Sequence, residues 1–249
     1  MTMTNARPGS TSEVIGASLV RTARTTGLLY LGLAITGALG YQVVRAQLYV
    51  ADDPRGTLSN LVEHTSMARL DIVLELGIVL TQALVAVWFY RLFRSVDTFA
   101  AGLVAVFGMV NAVAILGSAA LLATALDVAD DKSLAVPGGA AATAQVLYVI
   151  SGHLWGVCGL FFGLWLIPMG WLVVRSRWLP QLLGKLLMVG GAGYVLGTFV
   201  SYVIPGADLA TGLLTVPATI GELWIVGYLV LFGVRNHPGS DHESTPVAA

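Results

Sequence analysis

The stretch ARLDIVLELGIVLTQALVAVW, residues 68–88, decides the fold class because it is long and apolar enough to cross a lipid bilayer. A transmembrane helix needs roughly 20 mostly apolar residues. The stretch nevertheless carries Asp71, Glu75 and Gln82, which at about 100° per residue project from one side of a helix. An isolated charge at the centre of a bilayer costs at least about 2.5 kcal/mol on insertion scales. We therefore predict that this side of the helix faces protein or a wet cavity.

The composition of the whole chain agrees with a membrane protein. Hydrophobic residues make up 56% of the 249 residues and charged residues 11%, whereas a soluble domain averages about 25% charged residues. The mean hydropathy is +0.80. The net charge of -1 argues against a nucleic acid as partner. The sequence thus predicts an all-α, polytopic membrane protein whose main partner is the lipid bilayer.

Five polar segments separate six apolar stretches, which predicts a bundle of six transmembrane helices. The stretches lie at about 26–44, 66–90, 99–126, 146–173, 184–204 and 214–233. We predict a polar, disordered cytoplasmic tail over residues 1–24, a transmembrane domain over 25–234 and a second disordered cytoplasmic tail over 235–249. Gly193 and Gly197, spaced as GxxxG in the fifth stretch, indicate close helix packing.

The distribution of Lys and Arg predicts the orientation in the membrane. With the N-terminus inside, nine of these residues lie in cytoplasmic segments, and three lie outside, namely Arg45, Arg55 and Lys132. Cytoplasmic loops carry an excess of positive charge. We therefore expect a multi-pass membrane protein with both termini in the cytoplasm and an outer loop over residues 45–65.

Four ionisable side chains fall at similar depths in three predicted helices. Asp71 and Glu75 lie roughly 8–14 Å from the outer end of the second helix at 1.5 Å per residue, and His153 and Glu222 lie roughly 12 Å into the fourth and sixth. Each buried ionisable group is separately costly. We expect the four to approach one cavity in the outer half of the bilayer, as candidate catalytic residues.

Other residues are candidates for binding a substrate in that cavity. Tyr194 and Ser201 lie on one face of the fifth predicted helix, and Trp155 and Trp224 add aromatic rings that can stabilise a developing cation. Arg69 projects roughly 140° away from the acidic side of its helix, so we expect it near the same layer but on the other side.

Several segments resemble a known family. They are FFGLWLIPMGWLVVRSRWLPQLLGKLLMVGGAGYVL (161–196), GLLYL (27–31), Arg45, ARLDIVLEL (68–76) and PATIGELWIVGYLVLFGV (217–234). Together they resemble the bacterial family of six-helix membrane proteins named domain of unknown function 4386, over most of residues 22 to 235. The resemblance implies six membrane helices, a location in a bacterial cytoplasmic (inner) membrane, and no particular activity.

The family pattern touches some of the candidate residues. It implies that Arg69, Glu75 and the Gly-Glu-Leu that contains Glu222 are shared positions. Asp71 departs from the pattern, in which a small residue is usual, so Asp71 is either a specialisation of this chain or no part of a shared site.

The first functional hypothesis is an intramembrane enzyme that acts on a lipid or isoprenoid. Desolvation favours the neutral form of a carboxyl group, so an acid in a helix bundle can donate its proton to an alkene, epoxide or ester oxygen. Glu222 or Glu75 would be the acid, with Asp71 or His153 as its proton partner.

Three alternatives stay open at this point. Intramembrane acids and a His are also what a proton-coupled transporter or a small-molecule binding protein uses. Asp71, Glu75, His153 and Glu222 could instead hold a metal ion, although no established ligand motif supports this. A structural ion pair between Arg69 and Glu222 is the third alternative. The sequence specifies neither a cofactor nor an oligomeric state, and it leaves open whether the protein is an enzyme.

Overall fold

The computed structural model describes residues 9–234, which form helices joined by short connections, without a β-strand. In chain order these are α1 Gly9–Gly37, a π-helical segment Ala38–Val44, α2 Arg45–Leu48, α3 Pro54–Glu63, α4 Thr65–Phe93, α5 Thr98–Asp130, a short 3₁₀ helix Lys132–Leu134, α6 Gly139–Ser176, α7 Gln181–Val203 and α8 Asp208–Leu231. The all-α fold class is confirmed.

Six of these segments are long and apolar enough to cross a membrane, with mean hydropathy between 1.5 and 2.3. They are Gly16–Leu48, Thr65–Phe93, Thr98–Asp130, Gly139–Ser176, Gln181–Val203 and Asp208–Leu231. Their outward surfaces are apolar: Val73, Leu80 and Val113 are 61%, 62% and 63% exposed. Large apolar side chains on the outside suit hydrocarbon rather than water. The chain is therefore a multi-pass membrane protein with the six predicted spans.

The six spans form a closed ring. Each of the helices α4 to α7 packs against the next one in the chain, and α1 packs against both α4 and α8. Short connections between consecutive helices produce antiparallel neighbours of this kind. Because α1 closes the ring between α4 and α8, side chains from the first and the last span meet inside it.

Glycine brings α7 and α8 close together. A Cβ atom at Gly193 would fall far inside contact distance of the Leu214 carbonyl oxygen, and one at Gly190 would overlap the backbone of Ala218. Gly197, the other half of the predicted GxxxG, is less tightly packed, because its nearest neighbour would be 3.8 Å from a Cβ. Small residues thus set this helix contact, as membrane interfaces commonly require.

The segment after the first span differs from the predicted outer loop. The first helix continues as a π-helical segment over Ala38–Val44 and reaches Leu48, and the predicted loop also contains α3. Asp53 caps α3 by accepting a hydrogen bond from the Gly56 N–H at 2.9 Å, and Pro54 takes the first helical position. As a result Arg45, expected in the loop, lies inside the helix and is 7% exposed.

The predicted tails are only partly within the described residues. Helix α1 begins at Gly9, so residues 9–24 of the N-terminal tail are helical, and the prediction of disorder is wrong for them. Residues 1–8 and the predicted C-terminal tail, 235–249, lie outside the described part of the chain.

Candidate functional site

A cavity of about 350 Å³ lies inside the ring of helices, and we call it the central cavity. Its wall is mostly apolar and aromatic, with contributions from α1, α4, α5, α6, α7 and α8. The polar side chains in the wall are Tyr30, Gln42, Gln82, Asn111, Tyr194, Thr219 and Glu222. A mostly apolar cavity with a few polar groups is typical of small-molecule sites.

Glu222 of α8 is paired with Tyr30 of α1 in the wall of this cavity. The Tyr30 hydroxyl donates a hydrogen bond to Glu222 Oε1. Tyr30 is only 2% exposed, and its ring packs edge-on against Phe89 and Trp165, with ring centroids 5.7 and 5.8 Å apart. This packing fixes the position of the hydroxyl, so Glu222 has a preorganised hydrogen-bond donor beside it.

Gln82 supplies the second polar feature of the central cavity. Its side chain is fully buried, and neither the amide nitrogen nor the amide oxygen has a hydrogen-bond partner among the described residues. Asn111 on α5 adds another amide to the same wall. Buried polar atoms are nearly always hydrogen-bonded in proteins, so an unpaired buried amide facing a cavity needs an explanation.

A buried ion pair forms a separate polar cluster between α2, α4, α5 and α6. Arg45 Nη1 lies 3.3 Å from Glu75 Oε1, and the two side chains are 8% and 1% exposed. Glu75 Oε1 also accepts hydrogen bonds from Ser118 Oγ at 3.0 Å and from Trp155 Nε1 at 2.9 Å. Several donors on one carboxylate oxygen offset the cost of burying its charge.

Arg45 is held on its other side by α6. Its Nη2 donates to the Tyr148 carbonyl oxygen at 3.3 Å and to the Ser151 hydroxyl. The guanidinium also lies over two rings, 5.2 Å from the centroid of Tyr41 and 5.6 Å from that of Tyr148. Hydrogen bonds and cation–π contacts together hold this cation in an apolar layer.

Asp71 lies one helical turn from Glu75 on the same buried face of α4, as the sequence spacing predicts. It is 1% exposed, and neither of its carboxyl oxygens has a hydrogen-bond partner in the described structure. Its neighbour across the helix contact is Gly40, where a Cβ atom would lie 3.9 Å from Asp71 Oδ1. Asp71 is thus buried beside the π-helical segment and does not line the central cavity.

Trp155 connects the ion-pair cluster with the central cavity. Its indole lines the cavity, and its N–H donates to Glu75. Glu75 itself is not part of the cavity wall. A single side chain therefore separates Glu75 from whatever the cavity contains.

A second cavity of about 460 Å³ lies between α6 and the end of the first span. Its wall includes Arg45, Tyr41, Tyr148 and His153. His153 is exposed, and its Nδ1 lies 3.5 Å from the hydroxyl of Tyr202. The four candidate catalytic residues therefore occupy different places. Glu222 lines the central cavity and His153 lines the second one, whereas Asp71 and Glu75 are buried and line neither cavity.

The candidate binding residues are also divided. Tyr194 lines the central cavity and packs edge-on against Phe162, with centroids 5.2 Å apart. Trp155 lines it too, as described above. Trp224 packs against the apolar core without lining either cavity. Ser201 is exposed and donates to the carbonyl oxygen of Thr198 at 2.9 Å.

The alternative ion pair between Arg69 and Glu222 is wrong. Arg69 is exposed on α4, and Tyr30 is the hydrogen-bond partner of Glu222. Within residues 9–234 the basic partner of a buried acid is Arg45, which pairs with Glu75. This pairing is not visible in the sequence, because Arg45 follows the apolar run and opens a polar stretch that is typical of a loop.

The structure also bears on the metal alternative. Among the described residues, no group of three or more His, Cys, Asp or Glu side chains is arranged to hold a metal ion. The reason is geometric, since Glu222 and His153 face different cavities. The four candidate ligands are not brought together.

Sequence reasoning missed several residues of both sites. Tyr30 lies within the quoted motif GLLYL, but a tyrosine in an apolar helix is usually a packing residue. Ser118 and Ser151 carry no charge, so their place beside Arg45 and Glu75 is visible only in the folded chain.

The comparison with known families gives one match. The sequence model of the family described as Domain of unknown function (DUF4386) matches residues 25–233, which is most of the chain. No curated protein and no solved structure matches the chain.

Proposed function

This chain belongs to the DUF4386 family, and we propose that it is a membrane-embedded enzyme that transfers a proton to an apolar molecule in the central cavity. The observation that carries the proposal is the pairing of Tyr30 and Glu222 in the cavity wall. In this proposal Glu222 is the acid, and Tyr30 is the group that holds its carboxyl in place.

The composition of the cavity wall favours an apolar substrate. Its wall is formed largely by side chains such as Leu33, Ile115 and Phe162, and none of its lining residues is Lys, Arg or His. A volume of about 350 Å³ lies at the lower end of the range for small-molecule sites, which is roughly 300–1,000 Å³. A lipid-derived or isoprenoid molecule, which reaches the protein through the bilayer, fits these properties.

The chemistry follows from the pair. When the Glu222 carboxyl donates its proton to a carbon–carbon double bond or an oxygen of the substrate, it becomes a carboxylate. The Tyr30 hydroxyl then donates to an ionised acceptor, and hydrogen bonds of this kind are stronger than neutral ones. The rings of Trp155, Phe162 and Tyr194 line the cavity and can stabilise positive charge on the substrate.

The proton balance favours an isomerisation. After protonation of a double bond, loss of a proton from a neighbouring carbon back to the Glu222 carboxylate restores the acid and shifts the double bond. This sequence needs no oxidant, reductant or second substrate. It uses one side chain as acid and then as base, which is an established mode of general acid–base catalysis.

A comparison of lipids from cells that produce either the native protein or the Glu222→Gln variant tests the proposal. The variant keeps an oxygen that accepts from Tyr30 and loses the transferable proton. We expect at least one lipid-like compound to accumulate as substrate and its isomer to be lost in the variant. The matched control is Asp208→Asn, because Asp208 is an exposed acid on the same helix. Identical lipid profiles for native protein and Glu222→Gln would contradict the proposal.

A proton-coupled transporter is the second candidate, and one observation favours it. The Arg45–Glu75 pair and the contact between the rings of Tyr41 and Trp155, with centroids 4.5 Å apart, lie between the second cavity and the central one. Two cavities divided by a charged pair suit stepwise passage. Uptake of a compound into proteoliposomes without a change in its mass, abolished by Glu75→Gln, would favour transport over chemistry.

A further inference from the structure

Gln82 has hydrogen-bonding capacity that the protein itself leaves unused. The side chain is fully buried and lines the central cavity, and both its amide nitrogen and its amide oxygen lack a partner in the described structure. Leaving buried donors and acceptors unpaired is destabilising, whereas an apolar residue of similar shape at the same place would have no such cost. A ligand that bonds to this amide removes the cost, which gives the residue a role in binding.

The amide lies in the same layer of the bundle as the proposed acid. Thr81, the residue before Gln82, packs against Gly32, where a Cβ atom would lie 3.2 Å from the Thr81 methyl carbon. Gly32 is two residues from Tyr30 on α1, and Tyr30 bonds to Glu222. Gln82, Tyr30 and Glu222 also line the same cavity, so a molecule bonded to Gln82 shares that cavity with the pair that is proposed to react.

The chemistry of the amide and its surroundings selects one kind of polar group. The amide offers a donor and an acceptor, so its ligand needs both an acceptor and a donor. A ketone or an ether supplies only an acceptor, and an ammonium group supplies only donors. A carboxylate would place a second acid near Glu222 in a wall without Lys, Arg or His, which is unfavourable for like charges. A hydroxyl group supplies one donor and acceptor lone pairs and carries no charge.

We propose that Gln82 recognises the hydroxyl group of an apolar alcohol, such as a long-chain or isoprenoid alcohol, bound in the central cavity. This inference rests on the proposed function of that cavity and names the class of its substrate. The hydroxyl accepts from Gln82 Nε2 and donates to Gln82 Oε1 or to the Glu222 carboxyl. The apolar chain extends along Leu33, Ile78 and Ile115.

Photolabelling with two matched probes tests the inference. The probes are a long-chain alcohol that carries a diazirine and the methyl ether of the same alcohol, which keeps the acceptor and loses the donor. The full-length protein in lipid nanodiscs is irradiated with each probe, and the labelled residues are identified by mass spectrometry. We expect the alcohol to label residues of the central cavity at roughly five times the extent of the ether or more, because one buried hydrogen bond distinguishes them.

The variant Gln82→Leu should label equally with both probes. It replaces an unpaired amide by an apolar group of similar size, so the protein should fold with an unchanged or raised melting temperature. Gln145→Leu is the matched control, because Gln145 also has an unpaired buried oxygen but lies outside both cavities. This control should keep the preference for the alcohol.

Two results overturn the inference: equal labelling of the native protein by both probes, and a preference for the alcohol that survives in Gln82→Leu. Equal labelling is also what an amide bonded only to trapped water predicts. The outcome is independent of turnover, because binding is measured. If the alcohol is preferred through Gln82 but Glu222→Gln leaves lipid conversion unchanged, recognition stands and the proposed acid fails. If conversion depends on Glu222 while Gln82→Leu keeps the preference for the alcohol, the proposed acid stands and recognition by Gln82 fails.

Discussion

Tyr30 on α1 and Glu222 on α8 are hydrogen-bonded to each other and thereby join the first and the last transmembrane span. The contact lies where α1 closes the ring of helices, and the same pair forms part of the wall of the central cavity. The hydrogen bond should therefore stabilise the helix bundle, which can be measured without a substrate. The proposed proton transfer from Glu222 can be measured only with one.

Replacing Tyr30 by Phe should lower the stability of the protein. The substitution removes the donor and leaves the Glu222 carboxyl without its partner, which costs about 1–3 kcal/mol when the group is buried. Glu222→Gln should cost less, because the amide oxygen still accepts from Tyr30. The measurement is the melting temperature in detergent, followed by tryptophan fluorescence.

A matched tyrosine provides the control for this prediction. Tyr41 is 40% exposed, and no residue of the described structure bonds to its hydroxyl, so Tyr41→Phe should leave the melting temperature unchanged. If Tyr30→Phe melts like Tyr41→Phe, the hydrogen bond to Glu222 contributes nothing to closing the ring.

The buried ion pair should be far more sensitive than the exposed one. Arg45→Gln leaves Glu75 without its cation, and removing one partner of a buried pair typically costs about 3–5 kcal/mol. Arg175 and Asp97 form the comparison pair: it is closer, at 2.7 Å, but its side chains are 53% and 23% exposed. Arg175→Gln should therefore cost about 1 kcal/mol or less.

The variant Arg69→Gln tests whether Arg69 forms an ion pair with a buried acid such as Glu222. Arg69 is exposed and makes no ion pair within the described residues, so this variant should melt like the native protein. A loss as large as that of Arg45→Gln would show that Arg69 pairs with a buried acid after all.

How far the sequence predicts this protein depends on whether a feature is local. The six spans and the buried face of Asp71, Glu75 and Gln82 follow from hydropathy and helical period, and both were predicted. The presence of Glu222 in an intramembrane site was inferred from the cost of burying a charge. The sequence does not indicate that Tyr30 is the partner of Glu222, because the two side chains meet only in the folded ring, where α1 packs against α8.

The prediction that Arg45 lies in a loop is wrong for a similar physical reason. An arginine after an apolar run normally marks the end of a span. Here the helix continues through the π-helical segment Ala38–Val44, and Glu75, Ser151 and two tyrosine rings hold the guanidinium inside the bundle. Depth along the helix predicts the burial of Asp71 and Glu75 correctly but not that of His153, which is exposed. Assigning all four side chains to one cavity also requires the order of the helices.

Two glycines of α7 should respond differently to the same substitution. Gly193→Ala places a methyl group against the Leu214 carbonyl of α8, so the helices must separate, which should cost about 1–3 kcal/mol. Gly197→Ala meets only ordinary van der Waals contact at 3.8 Å and should be tolerated. Melting temperatures of the two variants check this difference, and equal values would place the α7–α8 contact elsewhere.

The orientation in the membrane is tested by fusions. If both termini are cytoplasmic, alkaline phosphatase fused after residue 56 should be active, because that position lies outside the cytoplasm. A fusion after residue 95, between α4 and α5, should be inactive. The opposite pattern would invert the predicted topology without changing the fold.

The most direct test of the central claim is the incorporation of deuterium from D₂O into lipids exposed to the purified protein. Native protein and Glu222→Gln, both in nanodiscs that contain a lipid extract, are incubated in D₂O and the lipids are analysed by mass spectrometry. Proton transfer through Glu222 predicts that a compound gains one mass unit with the native protein and gains none with the variant, while Asp208→Asn behaves like the native protein. Equal incorporation by native protein and Glu222→Gln, or none by the native protein, would contradict the account.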